Sequence, residues 1–188
     1  MDGGRERYRG FPPILGPRPR ILILGSLPSR ASIEAGMYYG HPRNLFWTLM
    51  GELVGAGPDL PYEKRARILE ARGIALWDVA RLASRKASAD ASMRDVVPNG
   101  IPRLCRERRS LRTIFFNGAK AEELFERFVR PRLDAESLRL PGIRLPSTSP
   151  ANASIPLDAK RRAWRRILDH LDGDASRTTK APRRSPRA

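Results

Sequence analysis

Apolar positions along this chain recur with two different periods. Residues 20–24 (RILIL) form a short continuous apolar run stopped by Gly25, as expected of a strand buried on both faces in a parallel sheet. Residues 44–54 (NLFWTLMGELV) instead place Leu45, Phe46, Leu49, Met50 and Leu53 at helical spacing behind Asn44, a natural N-cap. Residues 62–72 repeat the helical period with Ala66, Ile68 and Leu69, and Gly73 closes them. Further along, the pattern predicts a strand over 74–79 (IALWDV), a polar loop over 80–99, a helix over 101–109 and a strand over 112–116 (RTIFF). A helix over 119–129 follows with Leu124, Phe125 and Phe128 inward, then a short strand at 143–145 and an amphipathic helix over 157–171 carrying Trp164, Ile167 and Leu168. Strands alternating with helices predict an α/β layered fold around a mainly parallel sheet. Residues 1–172 are expected to form one domain. Residues 173–188 (GDASRTTKAPRRSPRA) hold no large apolar side chain and read as a disordered basic tail, either a weak phosphate binder or a solvated terminus.

Composition narrows the chemistry. The 188 residues suit one domain with a real core, and 40% hydrophobic residues are too many for a wholly disordered chain. No run approaches the roughly 18 apolar residues of a membrane span, and the first twenty residues lack an apolar signal core, so a cytoplasmic, membrane-free protein is expected. Cys105 is the only cysteine, which excludes an intrachain disulfide framework and a four-cysteine iron–sulfur cluster. With only His41 and His170 beside it, a four-ligand zinc set cannot be assembled, so no metal is expected. Lys and Arg outnumber Asp and Glu 36 to 20, a formal charge of +16 that favours a polyanionic partner through counterion release. A generally arginine-rich composition would also produce that charge.

Ligands of open parallel sheets collect at the carboxyl ends of strands. Three predicted strand ends carry unusual polar sequences: GSLPS at 25–29 with MYYGHPRN at 37–44, then FNG at 116–118, and finally LPSTSPANA at 145–153. They supply aromatics for stacking, amides for base edges, and hydroxyl or backbone N–H groups for phosphates. Neither GxGxxG nor GxxxxGK[ST] occurs, which weakens a nucleotide-binding enzyme as a reading. In the order GSLPS, YYGHPRNLFW, LWDV, FFNG and LPSTSPANAS, the chain resembles the uracil-DNA glycosylase superfamily, and within it the hypoxanthine-DNA glycosylase (family 6) branch, over about residues 13–171.

The resemblance implies a three-layer α/β/α sandwich around a four-stranded, mainly parallel sheet. It implies a monomer without metal or organic cofactor that flips hypoxanthine or uracil out of double- or single-stranded DNA and hydrolyses the N-glycosidic bond. In several branches the third position of the first motif holds a catalytic Asp or Asn; here Leu27 stands there, more suited to line a pocket. The branch pattern places an asparagine in the HPRN segment, matching Asn44, which would position water or the sugar and can also cap the following helix. His41 would donate to the leaving base or a phosphate, or be structural. Asn117, beside Phe116, matches the asparagine that reads a flipped base, since an amide offers both donor and acceptor. The same Asn-Gly pair is also a common turn. Tyr38 and Tyr39 would wall the pocket or stack on the base, or one of them would instead brace the loop through its hydroxyl. Gly25, Ser26, Pro28, Ser29 and Arg43 would approach the DNA backbone. Ser147, Thr148, Ser149 and Pro150 resemble the superfamily's insertion loop, and would otherwise serve to lead into the last helix. Ser29 where the branch often has glycine, and Gly40 before His41, bear on pocket shape. The rival reading is a catalytically silent protein that binds damaged or abasic DNA, which Leu27 favours.

Overall fold

The computed structural model describes residues 6–85 and 93–172. Four strands, β2 (Ile21–Gly25), β3 (Ile74–Asp78), β6 (Thr113–Asn117) and β7 (Gly142–Leu145), form a sheet of order β3-β2-β6-β7 in which every neighbouring pair is parallel. Side chains alternate across a strand, so consecutive residues of β2 feed two separate cores. Leu22 and Leu24 join Ile114 and Phe116 beneath α4 (Ile101–Glu107) and α5 (Ala119–Phe128). Ile21, Ile23 and Phe115 join the opposite core with α2 (Phe46–Val54), α3 (Tyr62–Ala71), Trp164 at the end of α6 (Leu157–Trp164), and α7 (Arg166–Asp172). These are the three layers of an α/β/α sandwich. All four residues 21–24 are fully buried, each worth roughly 1.5–3 kcal/mol of apolar transfer.

Residues 80–99 depart from the expected polar loop. They contain β4 (Ala80–Arg85) and β5 (Arg94–Pro98), which with β1 (Glu6–Arg9) form an antiparallel sheet of order β1-β4-β5. Its inward positions on β4 are Ala80 and Ala83, too small to show as hydrophobic alternation, so pairing with distant segments decides the conformation. The loop after β2 likewise contains a short helix, α1 (Arg30–Glu34), whose N-cap Ser29 Oγ accepts from the Ser32 N–H at 3.1 Å. The expected last helix is two, α6 and α7, meeting at Arg165. The tail expected at 173–188 lies outside the described residues. No helix among those described is long and apolar enough to cross a membrane.

Candidate active site

Parallel pairing sets the carboxyl ends of β3, β2, β6 and β7 side by side: Gly25 is in register with Asp78, and Asn117 with Leu145. A cavity of about 90 Å³ opens there. Of the residues singled out from sequence, Gly25, Ser26, Leu27, Pro28, Ser29, Tyr38, Tyr39, Asn44, Asn117, Ser147, Thr148 and Ser149 line it. His41, Arg43, Phe116 and Pro150 do not.

Gly25 is required by a close approach. A Cβ built on it would lie 2.2 Å from Asp78 Oδ1 and 3.0 Å from the Tyr39 hydroxyl, so no side chain fits while Asp78 stays in place. Asn117 is held in a reciprocal pair: its Nδ2 donates to Thr148 Oγ1 at 2.9 Å, and its Oδ1 accepts from the Thr148 N–H at 2.9 Å. One Nδ2 hydrogen and one Oδ1 lone pair remain for a ligand. Thr148 is fully buried, so the Asn117 amide is fixed by the loop that follows β7. That loop is itself braced, with Trp164 Nε1 donating to the Pro146 carbonyl at 3.0 Å, Asn152 Nδ2 to Ser147 O at 3.2 Å and Lys160 Nζ to Asn152 O at 2.8 Å. Burial lowers the pKa of Lys160. Ser147 and Ser149 Oγ atoms accept N–H bonds from Ser149 and Ala151 at 3.2 and 3.3 Å. Gly118, at φ 95°, turns the chain beside Ser147, whose Cβ would lie 2.8 Å from an added Cβ.

Asn44 Oδ1 accepts from the Phe46 N–H at 3.0 Å, so the side chain does start α2, although Leu45 occupies the N-cap position itself. Its NH2 group and a second Oδ1 lone pair remain on the cavity side of that bond. Leu45 N–H donates to Thr148 O at 3.1 Å, which ties the Asn44 segment to the loop that holds Asn117. His41 Nδ1 accepts from the Arg43 N–H at 3.1 Å; a neutral ring bonded this way carries its proton on Nε2. This contact serves the turn, and Arg43 is exposed beside it.

The two tyrosines differ. Tyr38 is 2% exposed, its hydroxyl donates to the carbonyls of Phe11 and Pro12 at 3.3 and 3.1 Å, and burial followed by the charge of Asp78 pushes its pKa far up. Tyr38 therefore braces the loop. Tyr39, at a left-handed φ of 55°, stacks on Phe46 at 4.1 Å with its hydroxyl turned toward Gly25. Phe116 faces the core, 5.0 Å from the Phe125 ring, because strand alternation sends it to the face opposite Phe115. Pro150 begins a 3-10 turn beyond the cavity edge.

Three lining residues escaped sequence reasoning: Ser32, Asp78 and Arg85. Asp78, 3% exposed, is the one carboxylate and Arg85, 1% exposed, the one guanidinium of the lining. Arg85 donates to the Pro28 carbonyl and lies 4.5 Å from the Tyr8 ring, clamping the first loop from β4. Asp78 was readable as the acidic residue ending a predicted strand. Arg85 was not, because its segment reads as a loop. Among the described residues no group of His, Cys, Asp or Glu could hold a metal ion.

With this geometry in place, comparison with known proteins gives consistent matches. The model of the uracil DNA glycosylase superfamily matches residues 12–171. A hypoxanthine DNA glycosylase of Methanosarcina acetivorans is 38% identical over 163 residues, covering 86% of this chain and 98% of that protein. A hypoxanthine DNA glycosylase of Methanosarcina barkeri is 38% identical over 118 residues, covering 62% and 75%. The solution NMR structure of a candidate uracil DNA glycosylase from Methanosarcina acetivorans superposes with a TM-score of 0.74 at 37% identity, covering 89% of this chain and 99% of the other.

Proposed function

The chain belongs to the uracil DNA glycosylase superfamily and is a DNA glycosylase for deaminated bases, and from that premise we propose that it flips hypoxanthine or uracil into the cavity at the strand ends and hydrolyses the N-glycosidic bond there. The observation that carries this reading is the Asn117 amide, locked by Thr148 at the cavity and left with one donor and one acceptor, the pair a flipped base requires. Hypoxanthine leads because both curated relatives carry that specificity in their names.

Breaking the bond places positive charge on the sugar and negative charge on the departing base. The base leaves with the bonding electrons and takes up a proton, while a water oxygen adds to the sugar carbon and loses one, giving an abasic site. Asn44, fixed through Oδ1 on the start of α2, positions that water or the sugar with its remaining polar sites. Little deprotonation of water is needed when bond breaking runs ahead of attack. The Asp78 carboxylate, itself buried at the cavity wall, supplies a negative charge that stabilises a cationic sugar. Tyr39 forms an aromatic wall, and the Ser147 and Ser149 hydroxyls, which each accept one backbone N–H, keep their own hydrogens for phosphates. Release is monofunctional on this reading, because Lys160 is buried on Asn152 O and Lys120 is paired with Glu123 at 2.8 Å.

The test is single-turnover incubation of duplexes containing deoxyinosine or deoxyuridine, followed by alkali. Strand scission at the damaged base is expected, faster for deoxyinosine. Intact strands with both lesions would leave a damage-binding protein without catalysis.

A further inference from the structure

At the opposite end of the parallel sheet lies a groove of about 910 Å³, lined by Arg18, Arg20, Arg67, Arg72 and Arg112 against one acid, Glu70. Its floor is rigid. Arg20 N–H donates to Gly73 O at 2.7 Å and Arg112 N–H to Arg20 O at 2.8 Å, so the entries of β2, β3 and β6 are bound together and bring three of the arginines into adjacent positions. Arg18, Arg67 and Arg72 are exposed, and among the described residues they form no ion pair.

Arginines at this end have an ordinary explanation, because the helices run against the strands and end here with unpaired carbonyls. Arg20 does bond Leu171 O, at the end of α7. The magnitudes decide against this as the whole account. Three helix ends, from α2, α3 and α7, present roughly half a negative charge each. With Glu70 they offset about 2.5 of the four guanidinium charges of Arg18, Arg20, Arg67 and Arg72. The surplus is open to solvent.

We infer that this amino-end groove is a second DNA-binding surface, which holds the phosphate backbone of one duplex while another occupies the carboxyl-end cavity. Guanidinium groups exposed along an open groove suit a line of phosphates, each contact releasing counterions. The groove and the cavity lie at opposite ends of five-residue strands, more than about 15 Å apart at 3.3 Å per residue, so a straight duplex seated across the cavity does not run into the groove. Holding two duplexes provides direct transfer between DNA segments without passing through free solution. The inference rests on DNA as the ligand of the cavity.

The experiment uses the full chain bound to a fluorescent lesion-free duplex, with dissociation followed by anisotropy as unlabelled duplex is added. Wild-type dissociation is expected to accelerate several-fold with competitor concentration. The triple variant R18E/R67E/R72E is expected to dissociate at a rate independent of competitor, with single-turnover base release within twofold of wild type and an unchanged melting temperature. The charge-keeping variant R18K/R67K/R72K retains most of the acceleration. A wild-type rate that ignores competitor, or the same dependence in the charge-reversed variant, overturns the inference. Acceleration by duplex RNA but not duplex DNA also overturns it and assigns the groove to RNA. The glycosylase reading fails separately, by absence of base release in the wild type while the anisotropy result stands.

Discussion

The two ends of the parallel sheet are built from contrasting chemistry. At the carboxyl ends the lining is mostly amides, hydroxyls, aromatics and backbone, with one acid and one guanidinium, and many polar atoms are committed to a named partner. At the amino ends five arginines face one glutamate, and four of them are exposed. A reaction that separates charge within one bond needs groups fixed before the bond breaks, because rearranging dipoles in the transition state costs rate. Attraction of a polyanion needs none of that fixity, only charge near the surface. On the proposed reading, the +16 of the chain serves encounter with DNA, while base release is assigned to side chains that are largely neutral.

The contrast is broken most directly at the cavity. Asn44→Ala and Asn117→Ala are each expected to slow single-turnover base release about 100- to 1,000-fold, with affinity for undamaged duplex within threefold of wild type. Parallel losses of rate and affinity, measured by quench and by anisotropy, would show that the two ends do not divide the work. Salt supplies the converse. If about four phosphates are neutralised, raising it from 50 to 200 mM weakens capture on the order of 100-fold, whereas release at saturating enzyme changes less than about threefold. Asp78→Asn, which keeps shape and removes charge, is expected to slow release roughly 10- to 100-fold without changing duplex affinity. A rate within threefold of wild type would remove the carboxylate from the chemistry.

The smallest effect concerns pH. Burial lowers the pKa of Lys160 below the usual 10.5, so the unfolded chain holds this proton more tightly than the folded one. The cost of the buried charge is full below the lowered value and is relieved as pH rises from there to 10.5. The urea midpoint of the wild type should therefore rise relative to Lys160→Met across that window. Arginines remain charged throughout, so competitor-driven dissociation should not follow the same curve.

Periodicity exposed β2, β3, β6, α2, α3 and α5 because each buries large apolar side chains at a regular interval. The antiparallel sheet left no such trace: on β4, Ala80 and Ala83 face the core with little more than a methyl group each, and another strand of that sheet is supplied from residues 6–9, where Tyr8 is buried. The cavity was legible where its residues follow strand ends. The strand-end position of Asn44, Asn117 and the loop at 147–149 followed from their order along the chain, and the resemblance to the family singled them out there. Arg85 reaches the cavity only through that second sheet, so a segment without readable structure concealed a buried cation. Phe116 shows the reverse error, since adjacency in sequence to Asn117 means the opposite face in a strand.

The near-collision between position 25 and the Asp78 carboxylate also sets a rule for how such sequences can diverge. Two adjacent strands share one volume, and only one of them can fill it. An exchange at 25 alone, even to alanine, must displace the acid; an exchange at 78 to a shorter residue makes room for a side chain on the first strand. Positions 25 and 78 are thus expected to change together, and relatives that carry a larger residue at 25 should have surrendered the carboxylate at 78 and moved the negative charge elsewhere.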